Sequence, residues 1–226
     1  ASTSEVGGVE LGKDNYRVTY PNDVRLSTPW IEYPYGEQAI DLFDDGHAIK
    51  NITLRDGEEE LMMAAIDANN QLKVKRYSKE EDFISEQVVL VEESISLPNI
   101  AGIINQVEID QAMNFMFVLS DQRLLHVINL NEESLEETVI LDNLGGITRM
   151  TFLLGENALL IGNDQGTVTQ RFMARTLKGE WRLRNVRSFD MGHGDIKAIA
   201  TEQRRKGFYA AGEDGHIAIY HSTAHR

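Results

Sequence analysis

Three of the six histidines crowd the end of the chain, His216, His221 and His225, and they are the first residues to test for chemistry. A His-x3-His pair can share a metal on one face of a helix. On a strand, residues four apart stand about 13 Å apart, too far to ligate one ion, and no carboxylate follows at ligand spacing. No metal site is expected. Carboxylates pair at Asp44-Asp45, Glu58 to Glu60 and Glu132-Glu133, but in polar hairpins or linkers that solvent can reach. General acid–base work needs an enclosed, perturbed pair. No G-x-S-x-G elbow is present. Gly7-Gly8 and Gly145-Gly146 lack the Lys and following helix of a phosphate-cradling loop. There is no cysteine, hence no thiolate nucleophile or disulfide. These residues predict neither an enzyme nor a cofactor.

Arg204-Arg205-Lys206 is the one concentrated basic cluster. Two readings stand open: a solvated hairpin tip, or a contact with anionic lipid headgroups worth about 1 kcal/mol per basic residue. From residue 171 onward there are 11 Lys and Arg against 6 Asp and Glu, within a chain whose net charge is −14. The acidic body argues against nucleic acid, whose phosphates need a cationic footprint.

The elements that would position these residues repeat. Ala48 to Tyr77, Gly102 to Leu130, Gly145 to Met173 and Gly194 to Ser222 superimpose on one template. Each has two strands around a polar hairpin, an Asp-containing turn, and a third strand. The turn aspartates Asp67, Asp121, Asp164 and Asp214 are 54, 43 and 50 residues apart, and propeller blades repeat at roughly 40–50. We expect the four to mark equivalent bends. Leu72 with Val74, and Ile217 with Ile219, alternate with period two, as half-buried strands do. Phe115 to Leu119 is apolar throughout, as suits a strand packed on both faces. Fourth strands are expected at Glu86 to Val91, Glu137 to Leu141 and Trp181 to Arg187, and a helical turn at Arg76 to Phe83. The predicted fold is all-β, a β-propeller of four-stranded blades in a partial or small ring.

The expected blades span about 46–98, 99–143, 144–192 and 193–226. Residues 1–45 fit the template poorly: Tyr16 to Tyr20 and Trp30 to Tyr33 read as strands broken by prolines. The last blade lacks an outer strand of its own, so Asn15 to Tyr20 or a neighbour is expected to pair beside Gly215 to Ser222 and close it. Four blades are few for a ring, which suggests a piece of a larger domain or pairing with a second copy. No apolar run approaches the roughly 18 residues of a membrane span, and no signal peptide is read at the start.

The fourth repeat resembles a WD40-type blade, with Gly212-Glu213-Asp214-Gly215 and Ile217-Ala218-Ile219-Tyr220, although Tyr220-His221 replaces the Trp-Asp ending. In such blades His193-Gly194 would be a structural pair. Arg204 to Phe208, Gly215 and Ile219 to Arg226 are similar to a segment of the long-form permease subunits of bacterial phosphate ABC transporters. That resemblance covers about the last 35 residues. It implies an extramembrane, periplasmic propeller of an inner-membrane protein, with docking or regulation as its task. Other transporter subunits or the periplasmic phosphate-binding protein would be its partners. An independent soluble scaffold is the alternative, and a ligand site or enzyme in the central pocket a third reading.

Overall fold

The computed structural model describes residues 17–19, 30–32, 48–82, 87–141, 145–153, 155, 158–192, 194–202 and 207–221. They form strands and no helix, so no helix among them is long and apolar enough to cross a membrane. The first pair is β1 (Arg17–Thr19) and β2 (Trp30–Glu32). Blade 1 holds β3 (Ile49–Asp56), β4 (Glu60–Asp67), β5 (Leu72–Asp82) and β6 (Gln87–Glu93). Blade 2 holds β7 (Ile104–Ile109), β8 (Phe115–Ser120), β9 (Leu124–Asn129) and β10 (Ser134–Ile140). Blade 3 holds β11 (Ile147–Phe152), β12 (Ala158–Asn163), β13 (Thr167–Arg175) and β14 (Trp181–Asp190). Blade 4 holds β15 (Ile196–Thr201), β16 (Gly207–Gly212) and β17 (Ile217–His221). Each blade is an antiparallel meander in chain order.

The three expected outer strands are β6, β10 and β14. The expected helical turn at Arg76 is strand instead: β5 runs on to Asp82, pairing with β4 on one side and, from Arg76, with β6 on the other. Backbone groups claimed by two ladders leave no helical alternative.

One irregularity recurs. The first strand of every blade shifts register against the second at the same place, between Ile49/Asn51, Ile104/Gln106, Ile147/Arg149 and Ile196/Ala198. The extra residues are Lys50, Asn105, Thr148 and Lys197, a β-bulge that sharpens the local twist. Beside it, the turn after the second strand donates a backbone N–H to the residue preceding the first. These bonds run from Ala68 to Ala48, Asp121 to Ile103, Asp164 to Gly146 and Glu213 to Asp195, at 2.7–2.9 Å.

That bond corrects the expected equivalence of the aspartates. All four lie at the hairpin between second and third strands, but only Asp121 and Asp164 share a register position. Asp67 sits one residue early, opposite Ile49 as Ser120 is opposite Ile104. Asp214 sits one residue late. Hairpins of different length put the same turn chemistry at different steps.

Blades pack face to face. Second strands are buried on both sides because β8 sends Phe115, Phe117 and Leu119 toward blade 3, and Met116 and Val118 toward blade 1. Blades 3 and 4 share Leu160, Val168, Ile196, Phe208 and Ala210. Phe117 meets Phe152 edge-on at 5.7 Å across the middle interface. Where β12 approaches β15 there is room for glycine alone: a Cβ on Gly162 would lie 2.8 Å from Ile196 Cγ2.

The expected closure is not made by the described residues. β1 pairs with β2 alone, and β17 has β16 on one side and no described strand on the other. Two three-residue strands form only a three-pair ladder with each other.

Candidate functional site

The first strands of blades 1 to 4 stand side by side, β3 next to β7, β7 to β11 and β11 to β15. They line a cavity of about 610 Å3 whose wall includes Asn51, Asn105, Gln106, Gln122, Thr148, Arg149, Asp195 and Lys197. This is the channel side of the blades, and three of the four bulge residues face it.

Two of the rim side chains, Gln106 and Thr148, join neighbouring blades. Gln106 Nε2 donates to the Met150 carbonyl at 2.6 Å, and Met150 N–H donates to Gln106 Oε1 at 2.9 Å. Within blade 2, Asn105 Oδ1 accepts from Gln122 N–H at 2.7 Å. Thr148 Oγ1 donates to the Ile196 carbonyl at 2.6 Å. What stays open is a charged corner. Lys197 Nζ donates to Asp195 Oδ2 at 2.7 Å and lies 3.7 Å from Glu213. The bond to Asp195 raises the Lys197 pKa, so it stays cationic. Asp195 Oδ1 is buried and makes no hydrogen bond. Such a rim can bind polar groups of either sign.

A second cavity, of about 220 Å3, opens between blades 2 and 3. Phe115, Phe117, Phe152 and Trp181 form its aromatic wall, and Asp110 and Arg171 its polar edge. Burial raises the Asp110 pKa against the hydrogen bond from Phe115 N–H, and burial lowers that of Arg171.

One Ser–His contact has the spacing of a nucleophile and its base: Ser120 Oγ lies 2.8 Å from His126 Nε2. Its setting is structural. Both residues are buried, and the other ring nitrogen faces the Thr138 hydroxyl at 3.0 Å rather than an orienting carboxylate. The chain Ser120–His126–Thr138 crosses β8, β9 and β10 and staples blade 2 together. Burial lowers the His126 pKa, with Asp121 opposing.

The turn aspartates have different partners. Asp121 Oδ1 accepts the Ile103 N–H at 2.9 Å and tucks against Gly102, which has a φ of 90°. A Cβ at Gly102 would stand 2.2 Å from Asp121 Oδ2. Asp67, fully buried, accepts from Gln71 N–H at 2.8 Å. Asp164 accepts from Gln165 Nε2 at 2.9 Å. Asp214 is more exposed and pairs with His216 Nδ1 at 2.8 Å. His221 lies on β17. His193, His225 and the basic cluster Arg204-Arg205-Lys206 lie outside the described residues. Sequence reasoning missed the rim and the Ser–His–Thr chain. The signal for the rim was a polar residue just after the opening Ile of each first strand.

Comparison with known proteins returns the architecture alone. No protein-family model matches the chain, and no curated protein is significantly similar in sequence. Among solved structures, the WD40 domain of SCAP from fission yeast is similar at a TM-score of 0.50 and 11% identity. That match covers 77% of this chain and 42% of that one. Raptor from Chaetomium thermophilum is similar at 0.52 and 14%, over 80% of this chain and 16% of its own. A functionally unknown protein from Desulfotomaculum acetoxidans reaches 0.52 and 12%, over 79% and 53%. The chain spans at most about half the length of these three structures. None of the comparisons supports a phosphate transporter. Four consecutive antiparallel blades, joined through buried cores and similar to WD40 domains, give this chain a WD40-type β-propeller fold.

Proposed function

We propose that this chain is a non-enzymatic platform that docks other proteins, and that it is the extramembrane propeller of a phosphate ABC transporter permease. The observation that carries the platform reading is the stack of sheets itself. Gln106 and Thr148 at the channel join blades, and the buried Ser–His pair is part of the packing, so the surface left over serves recognition. A propeller hosts many functions, and the transporter assignment is supported by the resemblance of residues 204–226. On that reading the domain lies on the periplasmic side of the inner membrane and meets a sister subunit or the phosphate-binding protein.

The test is affinity capture of the whole transporter with and without residues 48–221, alongside phosphate uptake. Co-purification of the binding protein that depends on this segment supports the reading. Equal capture and equal uptake without it refute the transporter assignment. Charge reversal of Arg204, Arg205 and Lys206 should reduce association with anionic liposomes if that cluster touches the membrane. Unchanged association would reject the membrane contact.

A further inference from the structure

The third strand of blade 3 outruns that of blade 2. β9 ends at Asn129, opposite Phe115, and the matching position in β13 is Phe172, opposite Ala158. β13 continues past it through Met173 and Ala174 to Arg175, where Trp181 pairs with it. Residues two apart on a strand share a face, and residues four apart stand about 13 Å apart. Arg171, Met173 and Arg175 therefore line up on one face of β13, beside Leu159, Leu183 and Trp181. That face is the one turned to blade 2: Leu159, Leu183, Met173 and Trp181 all belong to the core between blades 2 and 3. Phe115 of β8 meets Trp181 edge-on at 5.1 Å. Arg171 lines the cavity of about 220 Å3 in this crevice, and the Arg175 guanidinium stands 4.7 Å from the Trp181 ring centre.

Both guanidinium groups keep donors to spare, in a chain whose net charge is −14. Among the described residues, the one side-chain hydrogen bond of Arg171 runs from Nε to Thr169 Oγ1 at 3.5 Å, longer than an ordinary bond. Arg175 makes no hydrogen bond or ion pair with the described residues, only its contact with Trp181. The nearby carboxylates have other tasks. Glu137 accepts Leu183 N–H at 2.8 Å, Asp110 accepts Phe115 N–H at 2.8 Å, and Glu180 pairs with Arg182 at 3.1 Å. A guanidinium stays charged and presents a rigid fork of donors that matches a carboxylate.

We infer that this crevice binds an extended acidic peptide of a partner protein. Its carboxylates, four residues apart, meet Arg171 and Arg175, and an uncharged aromatic or large aliphatic side chain between them enters the cavity. The inference rests on the platform reading and not on the transporter assignment. Spacing supports it, since an extended peptide advances as β13 does and its residues i, i+2 and i+4 share a face. Size supports it too. The cavity is smaller than the roughly 300–1,000 Å3 of small-molecule pockets and takes one anchoring side chain, the kind of contact on which interfaces depend. Charge sets the rest of the pattern. Asp110 at the cavity edge repels a third carboxylate, so the middle residue is uncharged. A cationic ligand is disfavoured, because Arg175 already lies over Trp181 and Arg55 lies 5.9 Å from the Phe152 ring centre.

The experiment uses the two tryptophans of the chain, Trp30 and Trp181. In the full chain carrying Trp30→Phe, emission reports Trp181 alone. Titration with a capped Asp-Ala-Phe-Ala-Asp peptide, to millimolar concentration, should change that emission saturably. Arg171→Gln and, separately, Arg175→Gln should each raise the Kd roughly threefold or more, with the far-ultraviolet circular dichroism of the parent. Replacing both peptide aspartates by asparagine should weaken binding at least as much. No response to the peptide overturns the inference, as does equal affinity for the asparagine peptide or a Kd unmoved in both variants. Equally tight binding of free phenylacetate also overturns it, making the cavity a site for small carboxylates. Partner capture that needs residues 48–221 yet persists in the double arginine variant rejects this site and leaves the platform reading standing. Peptide binding with no partner captured supports the site and counts against the platform.

Discussion

At His126 burial decides protonation. The ring sits between two hydroxyls, and desolvation holds its pKa below the ordinary 6.5, so the folded form carries it neutral. The unfolded chain binds the proton at higher pH than the fold does. The stability tied to this ring is therefore complete above about pH 6.5 and drains as pH falls through the lower folded-state value. Thermal melts should show the midpoint dropping from pH 7 to pH 5, with a shallower drop in His126→Gln. An identical slope in the variant would assign the effect elsewhere. Gln106 is the second informative residue, because one side chain satisfies both the N–H and the C=O of Met150. Gln106→Ala should cost about 1–3 kcal/mol in urea unfolding, since the Met150 backbone groups lose their partners. A loss below 0.5 kcal/mol, an order-of-magnitude threshold for surface changes, would mean that solvent replaces them.

Among elements, the second strands are the most demanding. β8 and β12 are buried along their whole length, so each residue there answers to one neighbouring blade or the other. Phe117→Ala should cost about 3–5 kcal/mol through the cavity it opens against Phe152. Gly162→Val should cost about 1–3 kcal/mol by overpacking Ile196; chemical denaturation of both variants checks the order. The strands were legible because alternation and turn residues are local properties. The outer strands β6, β10 and β14 were found within three residues at each end. The bulges were not, since an extra residue in a first strand shows only when its partner is aligned. For the same reason the four aspartates looked equivalent: spacing along the chain counts residues, while register counts ladder steps.

In the whole molecule, stability should follow position in the stack. Blades 2 and 3 are covered on both faces, whereas blades 1 and 4 each have one face without a described blade. Opening that spreads between neighbouring repeats begins at an end. Amide exchange should accordingly be slowest in β8 and β12 and faster in β16. Equal protection in β16 would mean that its outer face is covered in solution.

The amino-acid sequence by itself determined that this is a β-propeller-like chain of four repeating blades, with a cysteine-free, acidic body. Those features are written in period-two alternation, turn chemistry and composition, all of which act over a few residues. Tertiary structure alone decided which side chains meet: the Ser120–His126–Thr138 chain, the Gln106 bridge, and the crevice of Phe115, Arg171 and Trp181. Those contacts depend on which blade lies against which face, and residues some fifty positions apart in the chain become neighbours only when the sheets pack.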